Sequence, residues 1–257
     1  MRENRLRRIW SEGQTATGLL LLTPSAYSAE VLAHQGWDFL FVDMQHGAID
    51  ERAATDMLTA ISTTDTTPLV RLPGLNSGMV GKMLDAGAYG IICPMIDTAE
   101  EARRLVAACR YPPLGNRSCG PFRASLYGGA DYVEHANETV LALAMIETRE
   151  ALENLEEIVA VPGLDAVYVG PSDLSFALGL TPGFDQEEKV FLEAIDRIVR
   201  AAKAQGVVAG IHNGSAAYAR RMIQLGFRLV SISTDVGLLT AGSRHILDAV
   251  PPSDCGK

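Results

Sequence analysis

Residues 39–47 read FLFVDMQHG: four apolar residues in a row, then Asp43, Gln45 and His46 before Gly47 stops the run. A strand with one solvated face alternates apolar and polar side chains. An unbroken apolar run therefore describes a strand covered on both faces, as in a parallel sheet flanked by helices. Its polar finish puts charge and hydrogen-bonding capacity where the strand leaves the sheet.

The same pattern recurs outward in both directions. Apolar, β-rich runs occur at TGLLLL (17–22), PLVRL (68–72), GIICPM (90–95), LALAMIE (141–147), AVYVG (166–170), VVAGI (207–211) and LVSIS (229–233). Between them lie amphipathic segments such as SAYSAEVLAHQG, TAEEARRLVAACR and SAAYARRMIQLG, where Ser or Thr caps the start and Gly often closes the end. Eight alternating strand–helix units in 257 residues is the count of a (β/α)8 TIM barrel in a single domain, 1–257, with a further helix before the first strand. A doubly wound open sheet is the alternative. Residues 110–140, rich in Gly, Pro and aromatics, form a long excursion between the fourth and fifth strands. It is expected to be functional, or to carry short helices, and to shape selectivity for a second substrate.

Composition narrows the function classes. At 47% hydrophobic and 21% charged the chain can bury a full core, and its net charge of −9 with scattered basic residues argues against nucleic acid. The basic start followed by GLLLL is too short for a signal h-region, and no run reaches membrane-spanning length. Cys93, Cys109, Cys119 and Cys255 show no C-x-x-C pair or framework spacing, which points to reduced thiols with packing roles in a cytoplasm.

In a barrel, catalytic groups sit at the C-terminal strand ends. Strand two ends in Asp43 and His46, strand three carries Arg71, strand five ends in Glu147, and strand six is followed at once by Asp173. Each has a plain structural reading: Arg71 could pair with Glu147, Asp173 could cap a helix beginning near Leu174, and His46 could be a loop histidine. Together they would crowd charge in a way that needs a ligand or metal to compensate it. Two carboxylates without a cysteine or histidine pair make a hard oxygen site, suited to Mg2+ or Mn2+, with Co2+ also open, and dispersed histidines make zinc a poorer fit. None of Lys82, Lys189, Lys203 and Lys257 ends a strand, so a Schiff base has no candidate nucleophile. There is no G-x-S-x-G elbow and no G-x-G-x-x-G fingerprint. What remains is metal-assisted enolate chemistry on a small oxo acid, Arg71 stabilising the oxyanion and His46 handling protons.

The segments VDMQHG, VRLPG, KMLDAGAYGIICPM, CRYPPLGNRS, AMIETREALENL and VGPSDLSFALG resemble the class II, metal-dependent pyruvate aldolases of the HpcH/HpaI family, over about residues 18–239. The resemblance implies a barrel enzyme, a lyase, that reversibly cleaves 4-hydroxy-2-oxo acids to pyruvate, or hydroxypyruvate, and an aldehyde. It implies that Glu147 and Asp173 bind the divalent cation and that backbone amides at Ser172 and Asp173 hold the substrate carboxylate. It further implies that Arg71 binds the enolate oxygen, that His46 takes the proton of the 4-hydroxyl, and that Asp85 raises the basicity of His46. Homohexamers with sites near subunit contacts, and an exchanged C-terminal helix, follow from the same resemblance. Three residues depart from the best-known members: Gln45 replaces a carboxylate, Met145 replaces a glutamine, and His212 stands where those enzymes carry an apolar residue and is expected to touch substrate. A CoA-thioester lyase of the citrate lyase type and a non-catalytic, metal-dependent oxo-acid binder are the competing readings.

Overall fold

In the computed structural model, which describes residues 1–250, each apolar run is a strand. The strands β1 (Ala16–Leu21), β2 (Phe39–Asp43), β3 (Thr67–Arg71), β4 (Gly90–Cys93), β5 (Leu141–Ile146), β6 (Ala166–Val169), β7 (Val208–Asn213) and β8 (Leu229–Thr234) pair in parallel, each with the next. The last returns to the first, so the sheet is a closed (β/α)8 barrel and not an open one. Helix α1 (Arg5–Ser11) precedes it. Helices α2 (Ala26–Ala33), α3 (Glu51–Ile61), α4 (Ser77–Asp85) and α5 (Ala99–Cys109) follow β1 to β4, and α6 (Phe122–Gly128) and α7 (Tyr132–Thr139) occupy the excursion. Then come α8 (Arg149–Glu153) and α9 (Leu155–Val159) after β5, α10 (Pro171–Ala177) and α11 (Lys189–Ala204) after β6, α12 (Ala216–Leu225), and α13 (Asp235–Ala249). Cys255 and Lys257 lie outside the described residues.

Alternation along the strands sorts the core into two layers. Phe39, Phe41, Leu69, Leu141, Leu143, Met145, Ala166, Tyr168 and Leu229 fill the barrel interior. Their chain neighbours Leu40, Val42, Val70, Ala142, Ala144, Val167 and Val230 face the helices. Both faces are therefore buried, which explains the continuous apolar runs. Carrying the inward parity one step further reaches Asp43, Arg71, Glu147, Gly170, His212 and Ser231. The polar groups thus line the upper end of the interior.

Local capping fixes where the helices begin. The helices directly after β1, β2, β3, β4, β5, β7 and β8 each start at a side chain that accepts a backbone N–H: Ser25, Asp50, Asn76, Thr98, Thr148, Ser215 and Thr234. Thr98 and Glu101 form a full capping box. Of the helices that directly follow a strand, only α10 starts without one, from Gly170 with Pro171 at its first position.

The excursion at 110–140 does not reach the mouth. Because α5 runs from the top of β4 to the bottom of the barrel and β5 starts there, the intervening chain is confined to the lower end. Within this chain the excursion closes the floor and does not border the mouth, and it contains two short helices. Asn4 donates to the carbonyls of Tyr89 (3.2 Å) and Thr139 (2.8 Å), Arg2 N–H donates to Gly128 O, and Arg2 stacks over Tyr127. Above that seal, Leu6 and Ile9 of α1 plug the interior. At the other terminus Asp235 accepts from the amides of Leu22 and Thr23, tying the start of α13 to β1, whereas Leu239, Ile246 and Leu247 further along are exposed.

Leu6 is fully buried, so Leu6→Ala should lower the unfolding free energy by about 3 kcal/mol in urea, as expected of a buried leucine truncated in a close-packed core. An unchanged midpoint would show that α1 merely lies against the barrel.

Candidate active site

The mouth is organised around one buried ion pair. Asp43 and Arg71 are directly paired residues of β2 and β3, both pointing inward, and the guanidinium meets the carboxylate in a fork. Nε donates to Oδ1 at 2.9 Å and Nη2 to Oδ2 at 2.6 Å, with Asp43 fully buried. Burial opposes the charge on Arg71, but the hydrogen bonds and charge of Asp43 outweigh it and hold the arginine above its ordinary value. The plain alternative, Arg71 pairing with Glu147, is not what forms. Nη1 is left with only the soft Met145 Sδ at 3.9 Å, so its hydrogens remain available to a stronger acceptor. Asp43 also serves the turn above it: Oδ1 accepts from the amides of Gln45 (3.0 Å) and His46 (3.4 Å). A Cβ at Gly47 would meet the Asp43 carbonyl at 2.3 Å, so only glycine allows this tight return.

Glu147 is buried and only half satisfied. Its Oε1 accepts from Met95 N–H at 2.9 Å, while Oε2 has no partner. Met95 adopts φ 54°, a left-handed conformation unusual for a side-chain-bearing residue, and this aims its amide at the carboxylate. Burial, with the nearby charges of Asp173 and Asp97, raises the Glu147 carboxyl to about 7 against the pull of Met95 N–H and Arg71. Gly170 makes room for it, because a Cβ there would stand 2.3 Å from Oε2. Asp173 reaches the same region from the first turn of α10; it caps nothing, and the amides of Ser172 and Asp173 donate to no capping side chain. A buried, unpartnered carboxylate oxygen beside a second carboxylate fits a hard divalent cation. No cluster of three or more Cys, His, Asp or Glu among the described residues is placed to hold a metal, so a cation here would keep positions open for water and substrate.

A cavity of about 300 Å3 at the strand ends is lined by Asp43, His46, Arg71, Ser172, Asp173 and His212 together with Phe41, Tyr168, Gly170 and Phe184, and Glu147 lies buried outside this lining, beside Gly170. His46 is exposed at its rim. His212, 5% exposed, bonds through Nδ1 to Ser231 Oγ at 2.7 Å and packs its ring edge-on against Phe184. Burial and the charge of Arg71 depress its imidazolium to about 4, so the ring is neutral at neutral pH. Asp85 is the exception among the expected residues. It ends α4 just before β4 begins, at the opposite end of the barrel, and binds Arg117 at 2.7 Å. It does not reach His46 of the same chain, because a helix after β3 necessarily finishes at the bottom. Sequence reasoning named Asp43 at the end of strand two but gave it no role, although its parity with Phe39 and Phe41 was the available signal.

A closed barrel whose strand ends gather an arginine, three carboxylates and two histidines defines a TIM-barrel enzyme with its chemistry at the C-terminal face. Residues 16–241 match the family HpcH/HpaI aldolase/citrate lyase. The chain is 43% identical to a hydroxypyruvate/pyruvate aldolase of Rhizorhabdus wittichii, over 95% of this chain and 97% of that one. It is 40% identical to a protein of the same name from Agrobacterium fabrum, over 91% and 88%. Among solved structures, an HpcH/HpaI aldolase/citrate lyase family protein from Burkholderia cenocepacia superposes with TM-score 0.88 at 33% identity, covering 95% and 97%. The chain belongs to the HpcH/HpaI aldolase/citrate lyase family, and it is an enzyme of the aldolase class.

Asp43→Ala strands Arg71 in the interior and should cost about 3–5 kcal/mol of stability, as when one partner of a buried pair is removed; a loss below 1 kcal/mol in urea titrations would contradict the fork. For Glu147, the folded carboxyl titrates above its ordinary 4.5, at about 7. The folded state therefore holds a proton that the unfolded chain has released, and stability present in full below pH 4.5 is lost as pH rises through 7. That loss is on the order of 3 kcal/mol in metal-free protein. Glu147→Gln should flatten this part of the profile, and identical slopes for the two proteins would refute the assignment.

Proposed function

We propose that the protein reversibly cleaves 4-hydroxy-2-oxo acids to pyruvate, or hydroxypyruvate, and an aldehyde, with a divalent cation bound by Glu147 and Asp173. The observation that carries this reading is that Arg71 Nη1 has only a soft sulfur partner and Glu147 Oε2 has none among the described residues, both at the C-terminal strand ends. A cation held by the two carboxylates supplies positive charge that draws electrons from the keto carbonyl. Mg2+ or Mn2+ suits their hardness, and Co2+ is compatible.

The remaining work falls to the chain itself. Uncapped amides of Ser172 and Asp173 at the start of α10 receive the substrate carboxylate. Arg71, immobilised by Asp43, donates Nη1–H to the oxygen that becomes negative as the C3–C4 bond breaks, a preorganised donor of the oxyanion-hole kind. His46 accepts the proton of the 4-hydroxyl at the rim, directly or through a water. His212 contacts the substrate from the far wall. An Asp85 carboxylate could reach a His46 only from a second copy of the chain, which agrees with a homo-oligomer, read as a hexamer. The exposed apolar side chains of α13 support exchange of that helix between subunits. No helix of the described residues is long and apolar enough to cross a membrane, and the free thiols of Cys93, Cys109 and Cys119 favour the cytoplasm. We read residues 1–257 as one domain, since the barrel takes its strands from Ala16 to Thr234 without a linker.

Purified protein incubated with Mg2+ or Mn2+, pyruvate or hydroxypyruvate and an aldehyde should form adduct, and EDTA should abolish it. Tight oxo-acid binding without turnover would instead support a binding protein, and activity confined to CoA thioesters would support the lyase. Arg71→Ala should lower kcat/KM by about a hundredfold, the loss of one oxyanion donor at about 3 kcal/mol; near-full turnover would remove its role.

A further inference from the structure

The charged groups of the mouth occupy one arc of the barrel. Asp43 ends β2 with His46 just beyond it, Arg71 ends β3, Glu147 follows β5, and Asp173 lies in the first turn of α10 after β6. From there β7 and β8 lead back to β1, and along this second arc the cavity wall is Phe184, His212, Thr234, Leu20 and Leu22. None of these carries a charge at neutral pH, since burial keeps His212 neutral. Phe184 is set in this arc by the segment that joins α10 to α11. Asp185 Oδ1 accepts Gly214 N–H at 2.8 Å, the carbonyl of Gln186 accepts the Tyr218 hydroxyl at 2.6 Å, and the Phe184 ring stands edge-on to His212 with centroids 4.8 Å apart. Tethered through its chain neighbours, the ring is still 47% exposed. It offers apolar surface at the cavity rim that a ligand can cover.

The same arc offers nothing to an anion. A carboxylate entering it needs a cation or unclaimed amides at a helix start. Among the described residues, Arg71 is the one guanidinium or ammonium group lining the cavity, and it stands on β3, across the barrel, in its fork with Asp43. The helices directly after β7, β8 and β1 begin at Ser215, Thr234 and Ser25, each of which already accepts an amide of the first turn. Asp185 takes Gly214 N–H, and Asp235 takes the amides of Leu22, Thr23 and Val236. Carboxylates of the chain itself therefore fill the places where a carboxylate of a ligand could bind. Helix α10, by contrast, starts without a side-chain cap, and it is there that the aldolase reading puts the carboxylate of the oxo acid. If a second copy brings Asp85 to His46, the arriving group is a carboxylate already matched by Arg117, and no free cation comes with that pair.

With the oxo acid on Arg71 and the start of α10, and the aldehyde oxygen at His46, the arc from β7 to β1 is what remains for the rest of the aldehyde. We infer that the acceptor is an uncharged aldehyde and that Phe184 forms the apolar wall against which its carbon chain packs, so that aldehydes ending in a carboxylate are selected against. This rests on the aldolase reading above and adds to it the class of the second substrate. A chain that covers Phe184 removes apolar area from water, whereas a carboxylate in the same place loses hydration and meets no partner.

The test compares two aldehydes of nearly equal shape, 4-methylpentanal and succinic semialdehyde, which end in an isopropyl group and a carboxylate. With Mg2+ and pyruvate, the wild-type protein should favour 4-methylpentanal by about tenfold or more in kcat/KM. Phe184→Ala should shrink that ratio about fivefold, and Phe184→Leu should recover part of it. Phe184→Arg, which supplies the missing cation, should swing the ratio toward succinic semialdehyde. Each protein is read by its own ratio, so a smaller folded fraction in a variant does not alter the result. Equal use of the two aldehydes by the wild type, or a preference for succinic semialdehyde, overturns the inference, and so does a ratio that Phe184→Ala leaves unmoved. Exchange of the C3 protons of pyruvate for solvent deuterium, followed by NMR without any aldehyde, separates the two kinds of failure. Wild-type protein that exchanges yet favours succinic semialdehyde sinks the inference alone; protein that neither exchanges nor forms adduct sinks the aldolase reading, and the inference with it.

Discussion

The fork between Asp43 and Arg71 is the constraint on which the site depends. Two charges inside a barrel are costly to desolvate, and only near-ideal geometry compensates them. The parallel register supplies that geometry by setting the two residues directly opposite on neighbouring strands. With Nε and Nη2 engaged, the guanidinium has one orientation, and its third nitrogen is presented to the cavity beside a weak sulfur acceptor. Asp43 holds the turn carrying Gln45 and His46 through the same oxygen that receives Arg71 Nε. One buried carboxylate thus positions both the Arg71 guanidinium and the loop that carries His46.

The other charges at the mouth are deliberately unbalanced by comparison. Arg71 is already matched by Asp43, so Glu147 has no cation of its own, only the Met95 amide on one oxygen. Its raised carboxyl and the neighbouring Asp173 describe a place where positive charge is missing. His212 does not supply it, since burial and Arg71 keep the imidazole neutral. The mouth therefore holds a locked cation, two carboxylates short of positive charge and a neutral imidazole.

Much of this was legible in the chain. Unbroken apolar runs such as FLFV and LALAMI reported strands buried on both faces, and Ser, Thr, Asn and Asp at the following positions reported where helices begin. Arg71, Glu147 and Asp173 stood out because charged residues rarely end apolar strands without a purpose. Asp43 was visible as a polar strand end but had no evident partner, and only its inward parity and its pairing with Arg71 show what it does. Met95 gave no signal at all: its part is played by a backbone amide, which any residue in that conformation could offer.

Asp85 and the 110–140 excursion mark the limit most clearly. Both carry residues that look catalytic in one dimension, yet a helix that follows a strand must return to the barrel floor, and everything attached to its end goes with it. The sequence by itself determined the number and order of elements, which faces are buried and which side chains carry charge, because those properties are local and periodic. The tertiary structure alone decided who meets whom: Asp43 and not Glu147 on Arg71, Ser231 and Tyr168 behind His212, Asp85 on Arg117. Barrel closure and register are long-range, and no spacing along the chain encodes which side chains they set against one another until the strands have paired.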